Sequence, residues 1–139
     1  MGQRRISRED ALKILYQIDI CQDTTPKSPE EFWEQYPNPN TPAETKEFTQ
    51  RLVSKTSECQ DTIDNLIKKF SKNWSLKRMG FIDRNILRLA VCELCYMEDI
   101  PPKVTINEAI EIAKKFSTER SALFINGILD RIKKEVGKD

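Results

Sequence analysis

The 139-residue chain contains no histidine, which takes away the commonest general base and the commonest zinc ligand. Its four glycines, at positions 2, 80, 127 and 137, stand alone, so no glycine-rich loop exists to cradle a phosphate or a dinucleotide. No apolar run approaches the length that spans a bilayer, and the start, MGQRRISRED, lacks the apolar core of a signal peptide. A myristoylation signal would need Ser or Thr at position 6, where Ile6 stands. A cytoplasmic location is therefore expected, with Cys21, Cys59, Cys92 and Cys95 as reduced thiols. The net charge of +1 is too small for indiscriminate binding to nucleic acid.

What is present favours helix. Few glycines and many Leu, Ile, Lys, Glu and Arg residues predict an all-α fold, and no strand-length alternating segment competes with it. The expectation is about six or seven helices in a single domain, residues 1–139. Its organising element is 81–97, apolar almost all round from Ile86 onward and interrupted only by Arg88 and Glu93. Such a helix must be covered on several sides. Asp83, Arg84 and Arg88 are expected where it emerges into water, with Asp83 as N-cap and Ile82 and Leu87 forming a hydrophobic staple.

The remaining helices read as amphipathic. Ser7 and Asp10 resemble a capping box before a helix reaching Cys21, whose core face is Ala11, Ile14, Leu15 and Ile18. Five prolines between positions 22 and 43 mark a connector, in which one short turn could pin Phe32 and Trp33 to the core. Helix resumes to about Ser71, with a polar stretch at 56–61 that can bend or split it. Pro101 and Pro102 end the central helix, and Thr105 with Glu108 forms a fuller capping box for the next. The last helix, from about residue 118 to 136, carries the stripe Ile125, Ile128, Leu129, Ile132 and Val136. Gly127 within it costs roughly 1 kcal/mol against Ala, which suggests that another backbone packs close by.

No catalytic constellation emerges. Cys92 and Cys95 match C-x-x-C but lie inside an apolar helix, where small core residues explain them better than a metal or redox pair. Glu108 and Glu111 read as helix-surface or capping groups. The start is chemically different: Arg4, Arg5 and Arg8 can converge with Tyr16 on one flank, offering guanidinium groups to phosphates and a ring to bases. The plainer alternative is a solvated arginine tail with Tyr16 capping the core. Phe124, off its helix's apolar stripe, has the same two readings.

Several motifs stand in a familiar order: R-R-x-S-R-E-x-A-L-K-I-L-Y-Q from Arg4, I-D-R-N-I-L-R-L-A-V-C-E-L from Ile82, P-x-K-V-T-I-N-E-A-I-E-I-A-K-K-F-S from Pro101 and F-I-N-G-I-L-D from Phe124. Together they resemble the NusB transcription antitermination family. The resemblance implies two packed helical subdomains around the central helix, an N-terminal half of about 1–72 that includes the connector 22–43, and a C-terminal half of about 74–139. It implies a non-catalytic protein without cofactor. With the ribosomal protein NusE, such a protein binds boxA RNA and joins an antitermination complex with RNA polymerase, notably on ribosomal RNA operons. By position, Arg4, Arg5, Arg8, Tyr16 and Phe124 match RNA-binding residues, and Asp83 with adjacent Arg84 matches the NusE-facing surface. Arg120 and Leu123 depart from relatives that carry an acid and a Lys there. NusB-like domains also precede RNA cytosine methyltransferases, and a helical module that binds only protein is the other alternative.

Overall fold

The computed structural model describes residues 3–21, 33–34, 41–71, 75–76 and 78–137; most of the proline-rich connector, including Phe32, lies outside them. Among the described residues there are six helices and no strand: α1 (Gln3–Cys21), α2 (Ala43–Glu58), α3 (Gln60–Phe70), α4 (Phe81–Tyr96), α5 (Pro102–Phe116) and α6 (Glu119–Glu135). The polar stretch at 56–61 does split its segment, at Cys59.

The apolar character of α4 places it in the middle, and all five other helices pack against it. Leu87, Val91 and Cys92 are fully inaccessible, and Leu94 is 1% exposed. Truncating such a side chain, as in Leu87→Ala, costs about 2–5 kcal/mol through lost burial and the cavity left behind. The expected stripes of the other helices close on it: Ala11, Ile14 and Leu15 from α1, Phe48, Leu52 and Val53 from α2, Ile63 and Ile67 from α3, and Ile125, Ile128, Leu129 and Ile132 from α6. Ile18, Trp33, Leu66, Phe70, Phe116 and Val136 pack around the margin of this core.

Three expected helix starts are displaced, for one physical reason. Ser7 lies inside α1 and is buried, its hydroxyl donating to the Thr45 carbonyl of α2 at 2.8 Å. Thr105 lies inside α5 and donates to Glu93 Oε1 at 2.9 Å. Asp83 is not the N-cap of α4; Gly80 is, without a side-chain cap, which also moves the staple positions away from Ile82 and Leu87. In each case the polar group serves a neighbouring helix rather than its own amides. Pro101 and Pro102 likewise begin α5, as N-cap and first residue, where a missing N–H costs nothing. The cap of α6 is the ordinary kind: Thr118 Oγ1 accepts from the Ser121 amide at 2.9 Å. The chain leaves that helix through Gly137 in the left-handed region, φ 76°.

Gly127 does not answer to the close-packing expectation. A Cβ built there meets nothing within 4 Å, so no neighbouring backbone requires the glycine.

Candidate nucleic-acid interface

The three N-terminal arginines do not share one environment. Arg8 is 5% exposed and forms a two-pronged ion pair with Glu93 of α4, Nε to Oε2 at 2.7 Å and Nη2 to Oε1 at 2.8 Å. Arg5 makes a similar fork to Glu108 of α5, at 2.8 and 2.6 Å, and that hydrogen-bonded guanidinium holds the Glu108 carboxyl below its usual range. Glu108 is therefore neither a cap nor a free surface acid. Arg4 is half exposed, near Asp99 at 3.6 Å, with its guanidinium 4.5 Å from the centre of the Phe48 ring. The expected flank of three available guanidinium groups thus reduces to Arg4 outermost and Arg5 at the edge, with Arg8 built into the core.

This division follows from the requirements of burial. Glu93 is 2% exposed and interrupts the apolar surface of α4; it persists because two arginine N–H groups and the Thr105 hydroxyl occupy its oxygens. A phosphate reaching Arg8 would have to displace Glu93 and leave a buried carboxylate unpaired.

Tyr16 lies three turns from Arg4, about 18 Å along α1, so it does not converge with the arginines. It meets Phe81 instead, edge to face, with centroids 6.3 Å apart. Phe81 is 40% exposed, and the Arg84 guanidinium lies over its ring, 4.4 Å from the centre. Sequence patterning assigns Phe81 only to the start of the central helix; its placement beside Arg84, three residues on and on the same face, is the signal that could have found it.

Arg84 is itself fixed, by two hydrogen bonds of 2.6 Å to Asp19 at the far end of α1. Asn85 and Arg88 donate to the same carboxylate at 2.9 and 3.2 Å, and Arg88 forks to Asp64 of α3 at 2.8 and 3.0 Å. Burial raises the Asp19 pKa, but hydrogen bonds from Arg84 and Asn85 and the two arginine charges outweigh it, so the net shift is downward. Arg88 is 7% exposed, a correction to its expected place at the water-facing lip. These residues tie α1 and α3 to the first turns of α4.

Asp83, half buried in that first turn, accepts from the Ser121 hydroxyl at 2.7 Å, joining α4 to the start of α6. Phe124 follows Ser121 by about one turn and packs partly against the core. The first turn of α4 therefore gathers Tyr16, Phe81, Asp83 and Arg84, with Ser121 and then Phe124 on the adjoining helix. The cysteines are not part of it: burial pushes the Cys92 thiol up to about 11, and no group of three or more potential metal ligands occurs among the described residues.

These features define a class: an all-α protein in which internal ion pairs fasten the first helix to a central apolar one, leaving exposed arginine and aromatic groups at the two ends of the first helix. The model of the NusB family matches residues 5–134, and the chain belongs to that family. It is 44% identical to the transcription antitermination protein NusB of Syntrophus aciditrophicus (strain SB) over 99% of this chain and 84% of the relative. It superposes on a T. maritima NusB structure with a TM-score of 0.85 at 42% identity, covering 95% of this chain and 91% of that one. A structure of antitermination factors NusB and NusE in complex with dsRNA matches with a TM-score of 0.84 at 28% identity, covering 97% and 98%.

Proposed function

We propose that this protein is a non-catalytic, cytoplasmic transcription antitermination factor that binds boxA-type single-stranded RNA together with NusE and so joins the antitermination complex with RNA polymerase. The observation that carries the proposal is family membership across residues 5–134, in a fold shared with a NusB that is held in a complex with NusE and dsRNA. No helix among the described residues is long and apolar enough to cross a membrane. In this reading Arg4 and Arg5 meet phosphate, while Tyr16 and Phe124 offer rings to bases. Asp83 faces NusE, and Arg84, held by Asp19, shapes that surface. Arg8 acts through Glu93 by fixing the helix that presents the other two.

A second reading, a module that binds protein alone, draws support from Glu93 and Glu108, which already occupy Arg8 and Arg5. Titrating boxA RNA against increasing salt separates the two. The RNA reading expects Arg4→Ala with Arg5→Ala to weaken binding and to flatten the log–log salt slope by roughly 0.7 for each phosphate no longer neutralised. An unchanged slope would show that Arg4 and Arg5 do not touch phosphate, and no binding of boxA RNA by the unsubstituted protein would favour the protein-only module.

A further inference from the structure

Cys59, Cys92 and Cys95 come together where α2 gives way to α3, in a cluster that no part of the proposed function uses. Cys59 is the junction residue itself, between the last residue of α2 and the first of α3. Its N–H donates to the Lys55 carbonyl and its own carbonyl accepts from the Ile63 amide, each at 3.0 Å. Its side chain is partly exposed, whereas Cys92 of α4 is fully buried. Two contacts set these cysteines opposite each other: the Thr56 hydroxyl is hydrogen-bonded with the Cys92 thiol, and the Tyr96 hydroxyl with the Cys59 thiol. Thr56 and Cys59 are three residues apart on one edge of α2, and Cys92 and Tyr96 four apart on one edge of α4. A helical tyrosine reaches back toward the preceding turn, so the hydroxyl of Tyr96 meets Cys59 near the level of Cys92. Cys95, partly exposed, lines an open cleft with Arg51, Lys55 and Tyr96. Core packing accounts for Cys92, but not for an accessible thiol placed against it.

We infer that Cys59 and Cys92 form a site of reversible oxidation, a thiol pair that a hydroperoxide converts into a disulfide clasping the α2–α3 junction to the central helix. The two thiols have different parts. Solvent reaches Cys59, so its sulfur meets the oxidant first, while burial keeps the Cys92 thiol protonated and out of reach. The hydroperoxide passes its terminal oxygen to Cys59, which becomes a sulfenic acid, and leaves as an alcohol, or as water where the oxidant is hydrogen peroxide. The Cys92 sulfur then attacks the Cys59 sulfur. The S–O bond breaks, the S–S bond forms, and the departing hydroxyl takes the Cys92 proton to become water. The two thiols have lost two electrons and two protons, which the hydroperoxide has gained. Packed helix axes lie about 8–10 Å apart and a disulfide needs its Cα atoms within about 4.4–6.8 Å, so closure draws the junction toward α4. A residue between two helices has the backbone freedom for that movement, which one inside α2 would lack. In a reducing compartment such a bond is transient, and the dithiol is the resting form.

The test treats the native full chain with hydrogen peroxide, blocks the remaining thiols with N-ethylmaleimide and maps unreduced tryptic peptides by mass spectrometry. The expected product joins peptide 56–68 to peptide 89–103 and disappears on treatment with dithiothreitol. Peptide 89–103 carries both Cys92 and Cys95, so variants separate them. Cys95→Ser should keep the link; Cys92→Ala should abolish it and leave Cys59 oxidised alone. If Cys92→Ala does not fold, fragmentation of the joined peptides from the unsubstituted protein makes the same assignment. In urea the preference for Cys59 with Cys92 over the other pairings should fall several-fold. A link that persists in folded Cys92→Ala or is lost in Cys95→Ser would overturn the inference. So would Cys59 that proceeds to sulfinic acid without joining α4, or a pairing preference that is the same in native and unfolded protein.

Discussion

Arg8 and Glu93 provide the sharpest quantitative expectation, because the fork between them is nearly inaccessible to water. Arg8→Met removes the cation and leaves Glu93, 2% exposed, with the Thr105 hydroxyl as its remaining described hydrogen-bond partner. An uncompensated buried charge of this kind costs about 3–5 kcal/mol. Glu93→Gln is expected to cost less, about 2–3 kcal/mol: the amide oxygen can still accept from Thr105, and Arg8 retains Glu108 at 3.9 Å. The double variant should lose markedly less than the sum of the two, with a coupling of about 1–3 kcal/mol. Urea unfolding of the four proteins measures the cycle, and a preserved m-value shows that the same surface is exposed each time. Two single substitutions that each cost under about 1 kcal/mol and add without coupling would refute the reasoning. Any loss of RNA binding by an Arg8 variant must be judged against this loss of fold.

Two further outcomes follow from the ion pairs and hydrogen bonds at the helix ends. Glu108 and Asp19 titrate below their usual values of 4.5 and 3.8, so their folded forms bind fewer protons than the unfolded chain in that range. The stability they supply is present above those values and is lost as pH falls through the depressed ones; Glu108→Gln should lower the melting temperature at pH 7 and reduce its fall below about pH 4.5, as read by circular dichroism. Asp83→Asn keeps an acceptor for Ser121 and should weaken NusE binding while shifting the melting temperature by less than about 3 °C. A large thermal loss with unchanged affinity would assign Asp83 to the α4–α6 junction alone.

The sequence disclosed the core more fully than the interface, and the reason is range. Stripes such as Ile125, Ile128, Leu129 and Ile132 announce themselves at spacings of three and four, and all four are buried as that spacing requires. The same logic finds the interruption of α4 by Arg88 and Glu93 without finding its purpose. Their partners Asp19, Asp64, Arg8 and Thr105 are 69, 24, 85 and 12 residues away, distances on which periodicity is silent. The misplaced caps share this origin: Ser7 and Thr105 have the right residue types at the right local spacing, but their hydroxyls bond to α2 and α4. Three arginines close together in sequence look alike, and only the positions of Glu93 and Glu108 distinguish the buried Arg8 from the outermost Arg4. Gly127 misleads in the opposite way, because its cost to the helix is legible in the sequence and the empty space beside it is not.

In the proposed function this NusB-family protein reads RNA with NusE as its partner. Fluorescence anisotropy of boxA RNA against a scrambled RNA of equal length and composition, each titrated with and without NusE, tests it most directly. The expected result is tighter binding to boxA, with the preference strengthened when NusE is present. Equal affinity for the two RNAs under both conditions would contradict it.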